Sequence, residues 1–129
     1  MDIKQIVLDL CALNDEQEWF EFKENWFQPE VLGEYVSALS NAAAFHYKKN
    51  AFFIWGVNDV THEIVGTTFN QYCDYNKEPY QNYLARNLSP SINFKFKETE
   101  ISRKRVVVLV IPAATEIPKI GRASCRERV

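Results

Sequence analysis

The stretch 18-EWFEFKEN-25 decides how this chain folds. Read with the period of a β-strand, Phe20 and Phe22 point to one side, and Trp19, Glu21 and Lys23 to the other. The phenylalanines belong against a core. The opposite row holds an aromatic ring, a carboxylate and an ammonium, so it is either a solvated face or part of a site.

Downstream, 27-FQPEVLGEYVSALSNAAAF-45 reads as a helix. Pro29 stands near its first turn, where a missing N–H costs little, and Leu32, Tyr35, Val36, Leu39 and Ala43 form its buried stripe. After the turn "HYKKN", the near-continuous apolar run 51-AFFIWGVND-59 reads as a strand covered on both faces, ending at Gly56. "HEIVGTTF" (62–69) is expected as a shorter strand after a turn at 58–61. A polar loop then leads into a third helix with Tyr80, Tyr83, Leu84 and Leu88 inward and Pro90 just past its end. "INFKFKETEISRKRVVVLVIP" (92–112) predicts two strands around a turn, with "RVVVLVIP" central. Upstream, residues 2–13 repeat Ile3, Ile6, Val7, Leu10 and Leu13 at helical spacing. The order αβαββαββ predicts an α+β fold, a mixed β-sheet with about three helices packed on it.

At 129 residues, 47% of them hydrophobic and 14% aromatic, the chain amounts to one domain able to bury a core. No apolar run reaches the roughly 18 residues of a membrane span. The start "MDIKQIVLDL" lacks a basic region followed by a cleavable apolar one, so a cytoplasmic protein is expected. Cys11, Cys73 and Cys125 show neither a zinc spacing nor a disulfide framework. The end, 120-IGRASCRERV-129, has no hydrophobic period and resembles one reading frame of a sequencing adapter. Residues 1–119 are therefore read as an incomplete domain and 120–129 as an artefact, which implies a natural chain continuing past Lys119. The alternative is a basic tail that binds nucleic acid. The formal charge of −2 includes Arg122, Arg126, Arg128 and Glu127 of that stretch, so without them the chain is more acidic still.

No Walker loop, G-x-G-x-x-G, H-E-x-x-H or G-x-S-x-G occurs, and four glycines in the whole chain leave little support for a nucleotide-binding fold. The acidic candidates are Glu16, Glu18, Glu21, Glu24, Asp59 and Glu63. Carboxylates at the ends of adjacent strands can converge on Mg²⁺ or Mn²⁺, though most such groups are solvated or sit in turns. Lys23 could contact a phosphate or merely form a surface ion pair with Glu21. Lys95, Lys97, Arg103, Lys104 and Arg105 fall on one hairpin, with Lys48 and Lys49 in another turn. Such clusters serve phosphate binding or protect an edge strand from aggregation. His46 and His62 fit turn or cap roles. Tyr72, Tyr75, Tyr80 and Tyr83 could stack bases, but Tyr80 and Tyr83 have the spacing of a buried helix face.

In order, "EWFEFKEN", "EYVSALSNAAAF", "AFFIWGVNDVTHEIVGTTF", "LARNLSPSINFKF" and "RVVVLVIPAATEIP" resemble the Schlafen-type AlbA_2 domain of bacterial proteins, over about 16–118. The resemblance implies a nucleic-acid-binding module, DNA or RNA, placed before an ATPase-like or winged-helix region. In animal Schlafen proteins related modules bind tRNA, and some cleave it with a divalent metal on three acidic residues. By motif these would be Glu16, Glu21 and Asp59 here, with Lys23 on the phosphate. The chain departs from the family at Glu16-Gln17, where Glu-Ser is usual, and after Asn41, where "AAAFHYKKN" replaces a common Gly-Gly.

Three functions follow. The first is a nucleic-acid-binding module of a larger bacterial regulatory or ATPase-linked protein, contacting its ligand through Lys23, Lys95, Lys97, Arg103, Lys104 and Arg105. The second is an endoribonuclease needing Mg²⁺ or Mn²⁺ on Glu16, Glu21 and Asp59. The third is a protein-interaction domain. No membrane partner is expected, and the reading leaves room for a homo-oligomer and a missing C-terminal domain.

Overall fold

The structure, a computed structural model, describes residues 1–13, 17–88 and 91–115. The carboxylate of Asp2 caps the first helix, α1 (Ile3–Cys11), by accepting from the Gln5 N–H at 3.1 Å. Of its apolar stripe Val7 and Leu10 are buried, while Leu13 lies past the helix end and is exposed.

β1 (Phe20–Lys23) alternates as its sequence requires, with Phe20 and Phe22 buried and Glu21 and Lys23 half-buried. α2 (Pro29–Phe45) starts on Pro29 and buries Leu32, Val36, Leu39, Ser40 and Ala43. It carries the chain over to β2 (Asn50–Trp55), which pairs with β1 in parallel from Phe20↔Phe52 to Lys23↔Trp55. Such a parallel pair needs a crossover, and the helix supplies it.

Between β2 and the next helix the chain makes a small hairpin, β3 (Asp74–Tyr75) and β4 (Glu78–Pro79), which leads into α3 (Tyr80–Arg86). β5 (Lys95–Ile101) and β6 (Lys104–Pro112) follow. Among the described residues the main sheet has four strands in the order β1-β2-β6-β5, with β6 antiparallel to both neighbours. The sheet is mixed, as the patterning predicts.

Both faces of the sheet are covered. Phe20, Phe22, Phe52, Ile54, Val106, Val108 and Val110 meet Val7 and Leu10 of α1 on one side. Phe53, Trp55, Val107, Leu109 and Ile111 meet α2 and α3 on the other. This is why β2 and β6 read as continuous apolar runs. Trp55 is wholly buried: its indole N–H donates to the Trp26 carbonyl at 2.7 Å, and its ring stacks on Phe69 with centroids 4.2 Å apart.

The sequence reading differs from the structure at residues 62–69. Among the described residues this stretch is no strand, and only an isolated bridge, Val57↔Ile64, remains of the expected pairing. The reason lies at the end of the sheet. Gly56 (φ 109°) and Gly66 (φ 84°) adopt left-handed backbone, and the Gly56 carbonyl accepts from the N–H groups of both Val65 (2.8 Å) and Gly66 (3.0 Å). The loop folds back as a clasp instead of extending. The strand pair missing there is the β3–β4 hairpin further on.

Candidate nucleic-acid interface

The clasp is tied down by the last residues of the stretch that began the sequence reading. Glu24 Oε2 accepts from Asn58 Nδ2 at 2.8 Å. Asn25 Oδ1 accepts from the Thr68 N–H at 2.9 Å and stands 2.9 Å from the Thr67 hydroxyl, which is also 2.8 Å from the Glu24 carbonyl. Asn58 Oδ1 in turn accepts from the N–H groups of Val60 (2.9 Å) and Thr61 (2.8 Å), setting the turn that carries Asp59. These contacts gather Glu24, Asn58 and Asp59 beyond the carboxyl ends of the parallel strands β1 and β2, the place where open α/β sheets form ligand crevices. Asn25 was not a candidate from sequence; an asparagine directly after a strand is the signal that marks it.

Glu21 and Lys23 lie on the α2 side of the sheet, half-buried rather than openly solvated, while Trp19, just ahead of β1, packs against both cores. Glu21 stands opposite Phe53 in the ladder. The Lys23 ammonium is 5.8 Å from the centroid of the Tyr35 ring on α2, a cation–π contact. The Trp19 ring lies edge-on to Phe20 and Phe52 and carries the Lys48 ammonium at 4.9 Å.

Of the acidic trio, Glu16 lies outside the described residues. Glu21 is in mid-strand and Asp59 in the exposed turn beyond β2. Among the described residues no three His, Cys, Asp or Glu side chains are grouped to hold a metal ion.

The basic candidates do not form one patch. β5 is the outer strand of the sheet, and its register sorts its charges by face. Lys95 and Lys97 pair with Val110 and Val108 and so share the α1 side, where Lys104, paired with Ile101, also points. Glu98 and Glu100 pair with Val107 and Arg105 on the opposite side. Arg103 occupies the hairpin tip and is exposed; Lys104 donates to the Ile64 carbonyl at 3.2 Å. Lys23 is at the far edge on the other face.

Arg105 turns inward. Its guanidinium donates to the carbonyls of Thr67 and Phe69, to Gln71 Oε1 at 2.7 Å and to Glu98 Oε1 at 3.2 Å, and its Nε is 3.1 Å from Glu98 Oε2. Gln71 Nε2 donates to Glu98 Oε1 at 3.0 Å. The Arg105 bond, the Gln71 bond and the Arg105 charge hold the Glu98 carboxyl below its ordinary value, outweighing slight desolvation. Such a network commits the arginine to the fold.

Of the tyrosines, Tyr80 is buried, which raises its phenol well above the usual range. Tyr83 packs partly into the same core. Tyr75 donates to Glu30 at 2.8 Å, while Tyr72 is exposed. His46 caps the end of α2 with Nε2 at 2.8 Å from Glu18 Oε1, and His62 sits in the clasp with its ring against Phe22.

The profile of the family "Schlafen, AlbA_2" matches residues 16–128. The chain belongs to the Schlafen AlbA_2 family. The match includes 120–128, a stretch that lies outside the described residues together with the rest of 116–129. Two solved structures share the AlbA_2 fold seen here. One is the solution structure of the N-terminal domain of an ATP-dependent DNA helicase RecG-related protein from Nitrosomonas europaea. It is 20% identical, covering 92% of this chain and 85% of that one, with a TM-score of 0.50. The other is the DIP2311 protein of Corynebacterium diphtheriae, 17% identical, with a TM-score of 0.51. That match covers 88% of this chain and 25% of the other, so this chain spans about a quarter of its length. No curated protein matches the chain. Among the described residues no helix is long and apolar enough to cross a membrane.

Proposed function

We propose that this AlbA_2 domain is a nucleic-acid-binding module, and that the outward cations of the β5–β6 hairpin, Lys95, Lys97, Arg103 and Lys104, contact the phosphates. One observation carries the reading: β5 separates its charges, lysines on one face and glutamates on the other, with Glu98 neutralised by Arg105. Protection of an edge strand needs charge but not this segregation. A row of like charge on one face attracts a polyanion even on a chain of formal charge −2. Family membership supports the reading, since AlbA_2 domains are associated with nucleic acid. The RecG-related neighbour supports placing the domain beside an ATP-driven partner in a longer bacterial, cytoplasmic protein. Arg105, whose donors are engaged within the fold, and Lys23, at the opposite edge over Tyr35, are left out of the contact set.

The test is fluorescence anisotropy with a labelled DNA duplex of about 20 base pairs and an RNA of the same length, at low salt, for the parent chain and for Lys95→Glu/Lys97→Glu. The reading expects binding that weakens steeply with salt and drops at least about tenfold in the double variant. Unchanged affinity would remove the hairpin from the interface. Absence of any binding would favour a protein-interaction domain. Cleavage of RNA that needs Mn²⁺ and is lost in Glu21→Ala would replace the binding reading with the nuclease one.

A further inference from the structure

The turn that joins α2 to β2 displays two exposed aromatic rings, Phe45, which touches the fold edge-on at the His46 ring, and Tyr47. α2 ends with three backbone hydrogen bonds: the His46 N–H to the Ala42 carbonyl (3.0 Å), Tyr47 to Ala44 (3.2 Å) and Lys48 to Ala43 (2.8 Å). This is a Schellman ending, which forces the residue after the cap into left-handed backbone and normally places glycine there. Here that residue is Tyr47, with φ 58°. The strain is not offset by packing, because Tyr47 is 96% exposed and Phe45 is 76% exposed. A strained backbone that presents an unburied ring directs attention to a ligand.

Charge beside the rings says which ligand. Lys48 and Lys49 follow directly, both exposed. The Trp19 ring, 4.9 Å from the Lys48 ammonium, fixes that charge beside the turn. Glu18, the nearby carboxylate, faces His46 at 2.8 Å. Exposed rings next to cations suit a single-stranded nucleic acid, whose bases stack on aromatic side chains while its phosphates take the lysines. A purely apolar partner would use the rings but gain nothing from the two exposed ammonium groups, whereas a polyanion is attracted by both.

The ladder links this turn to the hairpin cations. Phe20, next to Trp19, is followed across the sheet by Phe52, Val110 and Lys95 in register. Lys95 thus lies three strand spacings, roughly 14 Å, from Phe20.

Resting on the nucleic-acid reading above, we propose that the 45–49 turn is a landing site for unpaired bases: Tyr47 and Phe45 stack on them, and Lys48 and Lys49 hold the flanking phosphates.

The experiment measures binding of labelled oligo(dT) and oligo(U), each of about 20 nucleotides, and of a DNA duplex of matched length, by the parent chain and by Tyr47→Gly and Phe45→Ala. Tyr47→Gly is the decisive variant because glycine relieves the strained backbone, so it folds and melts no lower than the parent. The expected result is an affinity for single strands about tenfold weaker in Tyr47→Gly, with duplex binding little changed. Equal single-strand affinity in parent and Tyr47→Gly, while both still bind, overturns this proposal and leaves the hairpin reading standing. A parent chain that binds none of the three probes overturns both. If the parent sediments as a dimer and Tyr47→Gly as a monomer with oligonucleotide affinity unaltered, the ring belongs to a contact between copies, and the proposal is wrong.

Discussion

The backbones of Gly56 and Gly66 touch: a β-carbon built on Gly56 would stand 3.3 Å from the Gly66 carbonyl carbon and 3.1 Å from the Arg105 carbonyl oxygen. Both contacts are to backbone, which cannot move aside cheaply. The paired glycines of the motif G-V-N-D…I-V-G are therefore a requirement of the clasp that closes the end of the sheet. Gly56→Ala is expected to lose about 2–4 kcal/mol, from a left-handed backbone plus an overpacked contact. Urea unfolding followed by tryptophan fluorescence reads this as a lower midpoint at unchanged slope.

Asn25 holds the same clasp from the strand side. Removing its oxygen in Asn25→Ala takes away the acceptor of the Thr68 N–H, while the Thr67 hydroxyl keeps the Glu24 carbonyl; the expected cost is about 0.5–1.5 kcal/mol. Asn25→Asp keeps the acceptor and is expected to unfold near the parent midpoint. Equal losses in both variants would mean that the oxygen is not what matters.

At the other hairpin, Ser102 (φ 52°) and Arg103 (φ 66°) fill a two-residue turn between the paired residues Ile101 and Lys104. Both central residues have positive φ, the mark of a type I′ turn that favours Asn-Gly. Arg103→Gly is expected to stabilise the chain by about 0.5–1 kcal/mol while weakening nucleic-acid binding. A gain in stability with no loss of affinity would take Arg103 out of the contact set.

Acid exposes the Glu98 network. Arg105 and Gln71 hold the Glu98 carboxyl below its ordinary value in the folded chain. Its contribution to stability is therefore complete above the unfolded pKa of about 4.3 and is lost as pH falls through the lower folded value. Glu98→Gln is expected to show a shallower loss of melting temperature below about pH 4.5 than the parent, and little difference in pH dependence near neutrality. Parallel acid limbs would show that the ion pair does not survive in solution.

Much of the fold was legible because burial imposes a period. Alternation in "WFEFKE", the stripe of α2 and the apolar runs of β2 and β6 each specified an element and its neighbours. The stretch 62–69 misled because Ile64, Val65, Thr67 and Thr68 have strand-forming side chains, whereas Gly66 and the bonds from Asn25 to Thr67 and Thr68 turn them into a loop. The β3–β4 hairpin escaped notice because its turn, Asn76–Lys77, reaches positive φ at both positions without a glycine. The site was less legible. Spacing placed five basic residues on one hairpin, but only the sheet register sends Lys95 and Lys97 one way and Arg105 the other. Phe45 read as the last residue of a helix and Tyr47 as an ordinary turn residue, since nothing in the sequence shows that a helix ending would hold tyrosine where glycine is usual.

Whether the hairpin holds phosphates is read from the salt dependence of duplex binding for the parent chain and for Lys95→Gln/Lys97→Gln. If both lysines neutralise phosphates, each removes about 0.9 from the slope of log K against log salt, so the variant's slope should be shallower by about 1.8. Parallel lines, or a parent affinity that does not respond to salt, would contradict a phosphate-binding hairpin.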